Sequence, residues 1–410
     1  MKLFLQKSEV ISEQAIGVSG SKSETNRLLL LKALYPELVI ENGSNSDDSE
    51  VMQKVLQSDN LVKDIHHAGT AMRFLTAYYA IQEGEEVLLT GSSRMKERPI
   101  QILVEALGQL GAEISYEEKE GFPPIKIKGK KLSQNKVSLA ANVSSQYISA
   151  LLLIAPKLEN GLELTLEGEI TSVPYIKMTL ALLNEIGVKT SFEENVIKVH
   201  YKSNVESQKV IVESDWSSAS YWYSIVALAE IGTKITLSSY KKNSLQGDAI
   251  LARIYQDFGV ETGYNENGSI TLFKATHCQL SIVNYHLNNC PDIAQTIAVT
   301  CFGLGIACDL YGLHTLKIKE TDRLEALKIE LTNLGAEISI IAESLHLKAS
   351  TVIHENVAVK TYQDHRMAMA FAPLALKIPI IIEEAEVVSK SYPNFWNDLQ
   401  KSGFRLSEVL

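Results

Sequence analysis

Two kinds of helix-forming segment recur through this 410-residue chain, both at intervals near 73 residues. The first kind has a small or polar starter and then an alanine- or leucine-rich apolar run. Its copies begin near Ser23, Thr70, Ser145, Ser217, Asp292 and His365; after a first interval of 47, the intervals are 75, 72, 75 and 73. The second kind ends in a Leu-x-x-Leu-Gly-Ala-like stop, where glycine is the expected residue just past the helix end. Those stops are Gly111, Gly187, Gly259, Gly335 and Gly403, and the helices before them begin near Arg98, Pro174, Gln246, Glu320 and Tyr392. Asp48–Leu56 reads as a degenerate first copy without the terminal glycine. Chance supplies an occasional alignment of this sort, but two interleaved ladders point to a repeated scaffold.

Short alternating or β-branched runs lie between the helices: Glu86–Thr90, Ile125–Lys128, Glu163–Glu167, Val196–His200, Lys234–Ser238 and Ser269–Phe273. These read as strands. The unit is strand–helix–strand–helix–strand–strand, or βαβαββ, present six times with the first copy shortened. This predicts an α/β protein. A chain of this length exceeds one ordinary core, so two domains of three units each are expected. The midpoint, and the best hinge candidate, falls at Glu213–Trp216.

Composition adds exclusions. With 45% apolar and 21% charged residues the chain has an ordinary globular balance. A formal net charge of −10 argues against general nucleic-acid binding, so cations clustered at a site would stand against the overall field. Cys278, Cys290, Cys301 and Cys308 contain no Cys-x-x-Cys pair, which favours buried thiols in a reducing compartment. The N-terminus lacks a signal-peptide apolar core, and the longest apolar run, Ile297–Cys308, is too short to span a bilayer. A cytoplasmic protein with no membrane association is expected.

The helix starts carry the chemistry. Ser21 followed by Glu24 is a capping-box pattern, which puts Lys22, Ser23 and Arg27 in the first turns of a helix. Alone, that stretch reads as a capped surface helix. Further along the ladder come Gly69, Thr70 and Arg73; Arg98; Ser144, Ser145 and Gln146; Ser172 and Tyr175; Asp292; Lys319, Glu320 and Arg323; His365 and Arg366; and Lys390. Helix N-termini are already positive, and a chain selected for stability alone would place Asp and Glu there. Recurring cations at those positions suit ligands bearing phosphate and carboxylate, which Arg98, Arg323 and Arg366 could bind in bidentate fashion.

Lys319–Leu324 is the most informative piece of the second half. Lys319 and Arg323, four apart, are expected on one helical face, with Glu320 close enough to meet the same cleft. Asp322 either caps the helix or holds Arg323. Asp292, after Pro291, reads as a cap or a general base. His365 beside Arg366 is an acid/base candidate or a neutral donor. His66 and His67 lack a carboxylate or cysteine at ligand spacing, so no metal is expected there. His277, His286, His314, His346 and His354 show no constellation. The glycines form neither a Walker A loop nor a dinucleotide fingerprint, so no nucleotide cofactor is expected.

Eight pieces, in order along nearly the whole chain, resemble the 3-phosphoshikimate 1-carboxyvinyltransferase (EPSP synthase) family. They are Ser21-Lys22-Ser23 with Asn26-Arg27, Ala68–Arg73, Arg94–Ile100, Ser144–Gln146, Pro291-Asp292, Lys319–Leu324, Asp364–Ala368 and Ser389–Pro393. The resemblance implies an inside-out α/β barrel of two domains, residues 21–213 and residues 1–20 plus 214–410, closing over the substrates. It implies transfer of the enolpyruvyl group of phosphoenolpyruvate to shikimate 3-phosphate, with no metal or other cofactor, by a monomer. Lys22, Ser23, Arg27, Ser144, Ser145, Ser172, Tyr175, Asp292 and Lys319 would then hold shikimate 3-phosphate. Lys22, Gly69, Arg98, Gln146, Arg323, Arg366 and Lys390 would hold phosphoenolpyruvate. Asp292 would be the base, Glu320 the proton donor, and Lys22 and His365 would support the reaction.

Two positions depart from the family pattern: His67, where an asparagine is common, and Thr315, where many members carry a substrate-binding asparagine. The related UDP-N-acetylglucosamine enolpyruvyl transferases use a reactive cysteine in the first domain. This chain has no cysteine before Cys278. An idle anion-binding scaffold would be expected to have lost Lys22, Asp292 or Glu320, and all three are present.

Overall fold

The computed structural model describes the chain except residues 142–143, 169, 171–172 and 410 and the side chain of residue 318. It begins with β1 (Lys2–Leu5) and β2 (Gln14–Ile16). Next come α1 (Lys22–Leu34), β3 (Leu38–Glu41), α2 (Asp47–Leu56), β4 (Val62–Asp64), α3 (Gly69–Ala80), β5 (Glu86–Thr90), the short α4 (Ser93–Lys96), α5 (Gln101–Gln109), β6 (Glu113–Tyr116), β7 (Ile125–Lys128), β8 (Lys136–Ala140), α6 (Ser145–Ile154), β9 (Leu162–Glu167), α7 (Val173–Glu185), β10 (Thr190–Glu193), β11 (Val196–Val199) and β12 (Gln208–Ile211). The remainder comprises α8 (Trp216–Leu228), β13 (Lys234–Leu237), α9 (Leu251–Ile254), β14 (Val260–Tyr264), β15 (Ile270–Lys274), β16 (Ile282–His286), α10 (Ala294–Leu304), β17 (Ala307–Tyr311), α11 (Arg323–Asn333), β18 (Ile338–Ile341), β19 (Ser344–Leu347), β20 (Ala358–Val359), α12 (His365–Phe371), β21 (Ile380–Ile382), α13 (Phe395–Lys401) and β22 (Leu406–Val409).

The chain divides into two compact units, Gly20–Val212 and Met1–Ser19 with Glu213–Leu410. In the Gly20–Val212 unit the sheets run β4-β5-β7-β6, β8-β9-β11-β10 and β12-β3. In the other unit they run β2-β13-β15-β14, β16-β17-β19-β18 and β20-β21-β1-β22. Each four-stranded sheet begins with a parallel pair, continues through an antiparallel strand and ends on an antiparallel edge. The N-terminal strands complete sheets of the second unit: Ile16 lies opposite Leu237 on β13, and Leu3 opposite Ile382 on β21. The β12-β3 sheet has no hairpin, which matches the shortened first copy in the sequence.

Sequence pattern accounts for the layering. On β9, Leu162, Leu164 and Leu166 are buried while Glu167 is exposed, the alternation of a sheet with one covered face. Helices that follow the first strand of a sheet are apolar nearly all round, and on α8 every residue except Ser217 is buried. They fill the interior of their unit, as that pattern requires. The second kind is amphipathic: α5 buries Leu103, Ala106 and Leu107 on one side. All four cysteines are free thiols, and Cys290, Cys301 and Cys308 are buried. Among the described residues no helix is long and apolar enough to cross a membrane.

The five stop glycines have φ of 99°, 81°, 78°, 102° and 103°, the left-handed region that a helix C-cap uses. Other residues pay roughly 1–2 kcal/mol to enter it. At Gly111 an added Cβ has only Ser133 Oγ nearby, at 3.8 Å, whereas at Gly259 it would lie 2.0 Å from the Thr276 carbonyl oxygen. Gly259→Ala should therefore lower the thermal midpoint clearly more than Gly111→Ala, which carries the conformational cost alone. Equal losses in calorimetry would contradict this reading of the repeat's stop signal.

Candidate active site

In the Gly20–Val212 unit, Ser21 caps α1 by accepting the Glu24 amide at 3.4 Å. The Lys22 ammonium, in the first turn, lies 3.2 Å from Asp48 Oδ2 on α2. Asp48 sits on the degenerate helix of the first copy, where the repeat pattern does not mark it. Arg27 is buried beneath. It donates to Thr179 Oγ1 at 2.8 Å, Ser149 Oγ at 3.0 Å, and the carbonyls of Ser23 at 2.7 Å and Tyr175 at 3.4 Å, with the Phe74 and Tyr175 rings near its guanidinium. These bonding partners are neutral oxygens, and burial brings its pKa down to about 10. Arg73 is similar: it donates to the Gly69 and Pro99 carbonyls at 3.1 and 3.0 Å, and burial, with Arg98 nearby, lowers it to about 10.

A second group gathers at the start of α3. Gly69 lies against the Arg98 guanidinium, so that an added Cβ would meet Arg98 Nη1 at 2.5 Å. Gln146, in the first turn of α6, donates to Thr70 Oγ1 at 3.1 Å. Ser144 caps α6, accepting the Gln146 amide at 3.4 Å, and Ser145 is buried. Arg98 itself precedes α5 by three residues rather than opening it. His67 shares a 2.9 Å hydrogen bond with Ser92 Oγ. Ser172 lies outside the described residues.

The other unit assembles one network. Arg323, only 1% exposed, donates through Nε to Asp364 Oδ2 at 2.6 Å, through Nη1 to Asp292 Oδ1 at 2.9 Å and through Nη2 to Glu320 Oε2 at 2.7 Å. Burial acts to lower the Arg323 pKa, but Asp364, Glu320 and Asp292 outweigh it and raise the pKa. Asp292 also faces Lys319 at 3.5 Å and, through Oδ2, Arg366 at 3.2 Å. Arg366 reaches the Asp292 carbonyl at 3.2 Å and Ser217 Oγ at 3.3 Å. Ser217 in turn donates to the buried carboxyl of Asp248. Asp364 caps α12, accepting the Arg366 amide at 2.8 Å, and His365 is buried one residue on, its Nδ1 3.9 Å from Asp364 Oδ1. Lys390 donates to the carbonyl of Gln363 at 2.8 Å.

Several local expectations are corrected. Lys319 and Arg323 do not share a helical face. The helix begins at Arg323, because Asp322 caps it by accepting the amides of Leu324 and Glu325 at 3.1 Å each. Lys319 and Glu320 approach from the loop before it. Asp292 is not a cap: it sits in a 3-10 turn, Pro291–Ile293, with no side-chain capping bond, and its carboxylate serves the arginines. Lys390 ends the 3-10 turn Ala385–Lys390 instead of opening a helix, a placement that suits a cation. The cations of this unit are also not left for a ligand to balance, since Asp292, Glu320 and Asp364 offset much of their charge.

The two-unit mixed α/β fold is shared with solved enolpyruvyl transferases. An EPSP synthase from Acinetobacter baumannii superposes with a TM-score of 0.80 over 99% of this chain and 100% of its own, at 18% identity. The enolpyruvyl transferase NikO from Streptomyces tendae gives 0.77 over 100% and 99%, at 13% identity. At those identities the likeness is one of fold. The sequence goes further: the EPSP synthase (3-phosphoshikimate 1-carboxyvinyltransferase) family model matches residues 41–399. A 3-phosphoshikimate 1-carboxyvinyltransferase from Bacteroides fragilis strain YCH46 is 46% identical over 393 residues, 95% of each chain. The chain belongs to the EPSP synthase family.

Asp248 offers a test of the network's electrostatics. Burial, helped by Asp292 and Asp215, raises its carboxyl to about 7 against the pull of Arg366 and Ser217. In the unfolded chain the value is near 3.9, so the folded state holds the proton more tightly. The stabilisation this provides is complete below about pH 4 and is lost as pH rises towards 7. Asp248→Asn should therefore gain stability relative to the parent between pH 5 and pH 7.5. A difference in thermal midpoint that does not change with pH would contradict the buried-carboxyl account.

Proposed function

We propose that this chain transfers the enolpyruvyl group of phosphoenolpyruvate to the 5-hydroxyl of shikimate 3-phosphate, releasing phosphate. That is the reaction its family and its 46%-identical relative are named for, a step of the shikimate pathway leading to chorismate and the aromatic amino acids. The observation that carries the reading is the buried guanidinium of Arg323, which holds both Asp292 and Glu320, at 2.9 and 2.7 Å, and so places two carboxylates side by side.

In this reading Asp292 takes the proton of the attacking 5-hydroxyl, and Glu320 gives a proton to the methylene carbon of phosphoenolpyruvate. The new C–O bond forms at the adjacent carbon. Elimination then returns a proton from the methyl carbon to Glu320 as the C–O bond to phosphate breaks, and the proton held by Asp292 passes to the departing phosphate, so both carboxylates are restored. Lys22 and His365 support the charged intermediate. Lys22, Ser23, Arg27, Ser144, Ser145, Ser172, Tyr175, Asp292 and Lys319 serve shikimate 3-phosphate; Lys22, Gly69, Arg98, Gln146, Arg323, Arg366 and Lys390 serve phosphoenolpyruvate. Arg27 and Arg73, buried on neutral oxygens, support this by giving their unit a positive interior field that a polyanion would relieve.

The domains are residues 21–213, mainly for shikimate 3-phosphate, and residues 1–20 with 214–410, carrying the catalytic carboxylates and cations for phosphoenolpyruvate. The fold is an inside-out α/β barrel of six βαβαββ units, three per domain; the recurring strand order supports it. The enzyme acts as a cytoplasmic monomer.

Glu320→Gln and Asp292→Asn should fold and lose phosphate release from the two substrates by roughly 10²–10⁴-fold, the usual weight of a proton-transfer group. Near-parental turnover in both would remove their roles. Gly69→Ala must move the Arg98 guanidinium, and is expected to raise the KM for phosphoenolpyruvate with a smaller change in that for shikimate 3-phosphate. The same variant should weaken competition by glyphosate, the phosphonate expected to occupy the phosphoenolpyruvate subsite. Unchanged kinetics in both respects would contradict the placement of that subsite at Gly69.

A further inference from the structure

The sheet β16-β17-β19-β18 carries a second organised cluster, which shares no residue with the Arg323 network. On β17, Asp309 lies directly opposite His346 of β19. His346 Nδ1 is 2.6 Å from Asp309 Oδ1, and its Nε2 is 2.7 Å from Ser344 Oγ. The Tyr311 ring packs edge-on to the imidazole at 5.7 Å, and His286 stacks on Tyr311 at 5.0 Å. Ser344 opens β19 just after the two-residue hairpin turn Ala342-Glu343, with Ala342 at φ 52°. Asp309 and His346 side chains are each 26% exposed, so small solutes can reach them. The partnership of His346 with Asp309 is invisible in the sequence, because the two lie on strands separated by α11 and β18.

The arrangement has the logic of a nucleophile, a base and a group that orients the base. A carboxylate only accepts, so the proton of neutral His346 is fixed on Nδ1 by Asp309. The Nε2 lone pair then faces the Ser344 hydroxyl. That hydroxyl also has the Ile341 carbonyl at 2.7 Å, an alternative acceptor that it uses when Nε2 is protonated. Ile341 is 63% exposed and pairs with Ser344 across the hairpin, which offers an apolar contact to a short acyl chain.

We propose that Ser344 is an activated nucleophile that takes acyl or phosphonyl groups from small reactive esters, with His346 as general base and Asp309 as its positioning residue. In the acyl case the Ser344 proton passes to His346 Nε2 as Oγ bonds to the carbonyl carbon. The ester C–O bond breaks, and the leaving alkoxide or phenoxide takes the proton from His346. Water, deprotonated by the same imidazole, releases the acid and restores the serine. The site lies on an open sheet face, so water solvates the developing oxyanion. That confines the chemistry to activated esters and phosphonates and excludes amides.

The test is labelling of the full chain with a fluorophosphonate probe, with sites mapped by mass spectrometry, alongside hydrolysis of p-nitrophenyl acetate. The expected result is modification at Ser344 that is absent in Ser344→Ala and at least tenfold slower in His346→Gln and Asp309→Asn. Ester hydrolysis should fall in parallel, while phosphate release from the family's substrates in Ser344→Ala stays at the parental rate and reports an intact fold. Asp309→Asn retains the imidazole and so decides the matter should His346→Gln fail to fold. Absence of label at Ser344, or label forming at the parental rate in Asp309→Asn, would overturn the proposal.

Discussion

One buried cation organises the unit formed by Met1–Ser19 and Glu213–Leu410. Arg323 is out of contact with water and uses all three of its nitrogens on carboxylates from three different segments: Asp364 before α12, Asp292 before α10, and Glu320 in the loop before its own helix. A charge buried in this way must be paired or hydrogen-bonded, and removing one partner of a buried ion pair costs about 3–5 kcal/mol. Its planar fork also fixes direction. Asp292 and Glu320 are therefore held beside one another by a group that cannot easily rotate away. Arg366 repeats the device on a smaller scale, joining Asp292 to Ser217 and through it to Asp248.

The Gly20–Val212 unit solves the same problem differently. Arg27 and Arg73 are buried on hydroxyls and carbonyls, whose dipoles replace water without cancelling the charge. The physical consequence runs in opposite directions. Burial lowers the pKa of these two arginines to about 10, while the carboxylates around Arg323 and Arg366 more than reverse that effect. In one unit the buried arginines thus keep neutral bonding partners. In the other, carboxylates offset much of the charge of the buried arginines.

Much of this was legible in the sequence, for a physical reason. A repeated scaffold imprints the same local demands many times. The stop glycines at 111, 187, 259, 335 and 403 stand out because each must adopt positive φ. The apolar runs stand out because their helices are buried on all sides. Hidden features depend on tertiary pairing. Asp48 opposite Lys22 lies on a degenerate copy; Asp248 reaches the network through a serine; and Asp309, Ser344 and His346 meet only when β17 and β19 pair. The cap at Asp322 shifted the helix start by three residues and broke the expected face shared by Lys319 and Arg323. Helix-start cations read in the sequence as charges awaiting a ligand, although carboxylates distant in the chain already meet several of them.

The geometry of one guanidinium, beyond its charge, holds Asp292 and Glu320 in place. Arg323→Lys keeps the charge and removes the fork. Single-turnover phosphate release by this variant, with a thermal melt recorded on the same sample, tests the claim directly. The account predicts a folded protein whose rate falls by at least about 100-fold, since an ammonium cannot bridge three carboxylates at fixed angles. A folded variant releasing phosphate within a few-fold of the parental rate would contradict it.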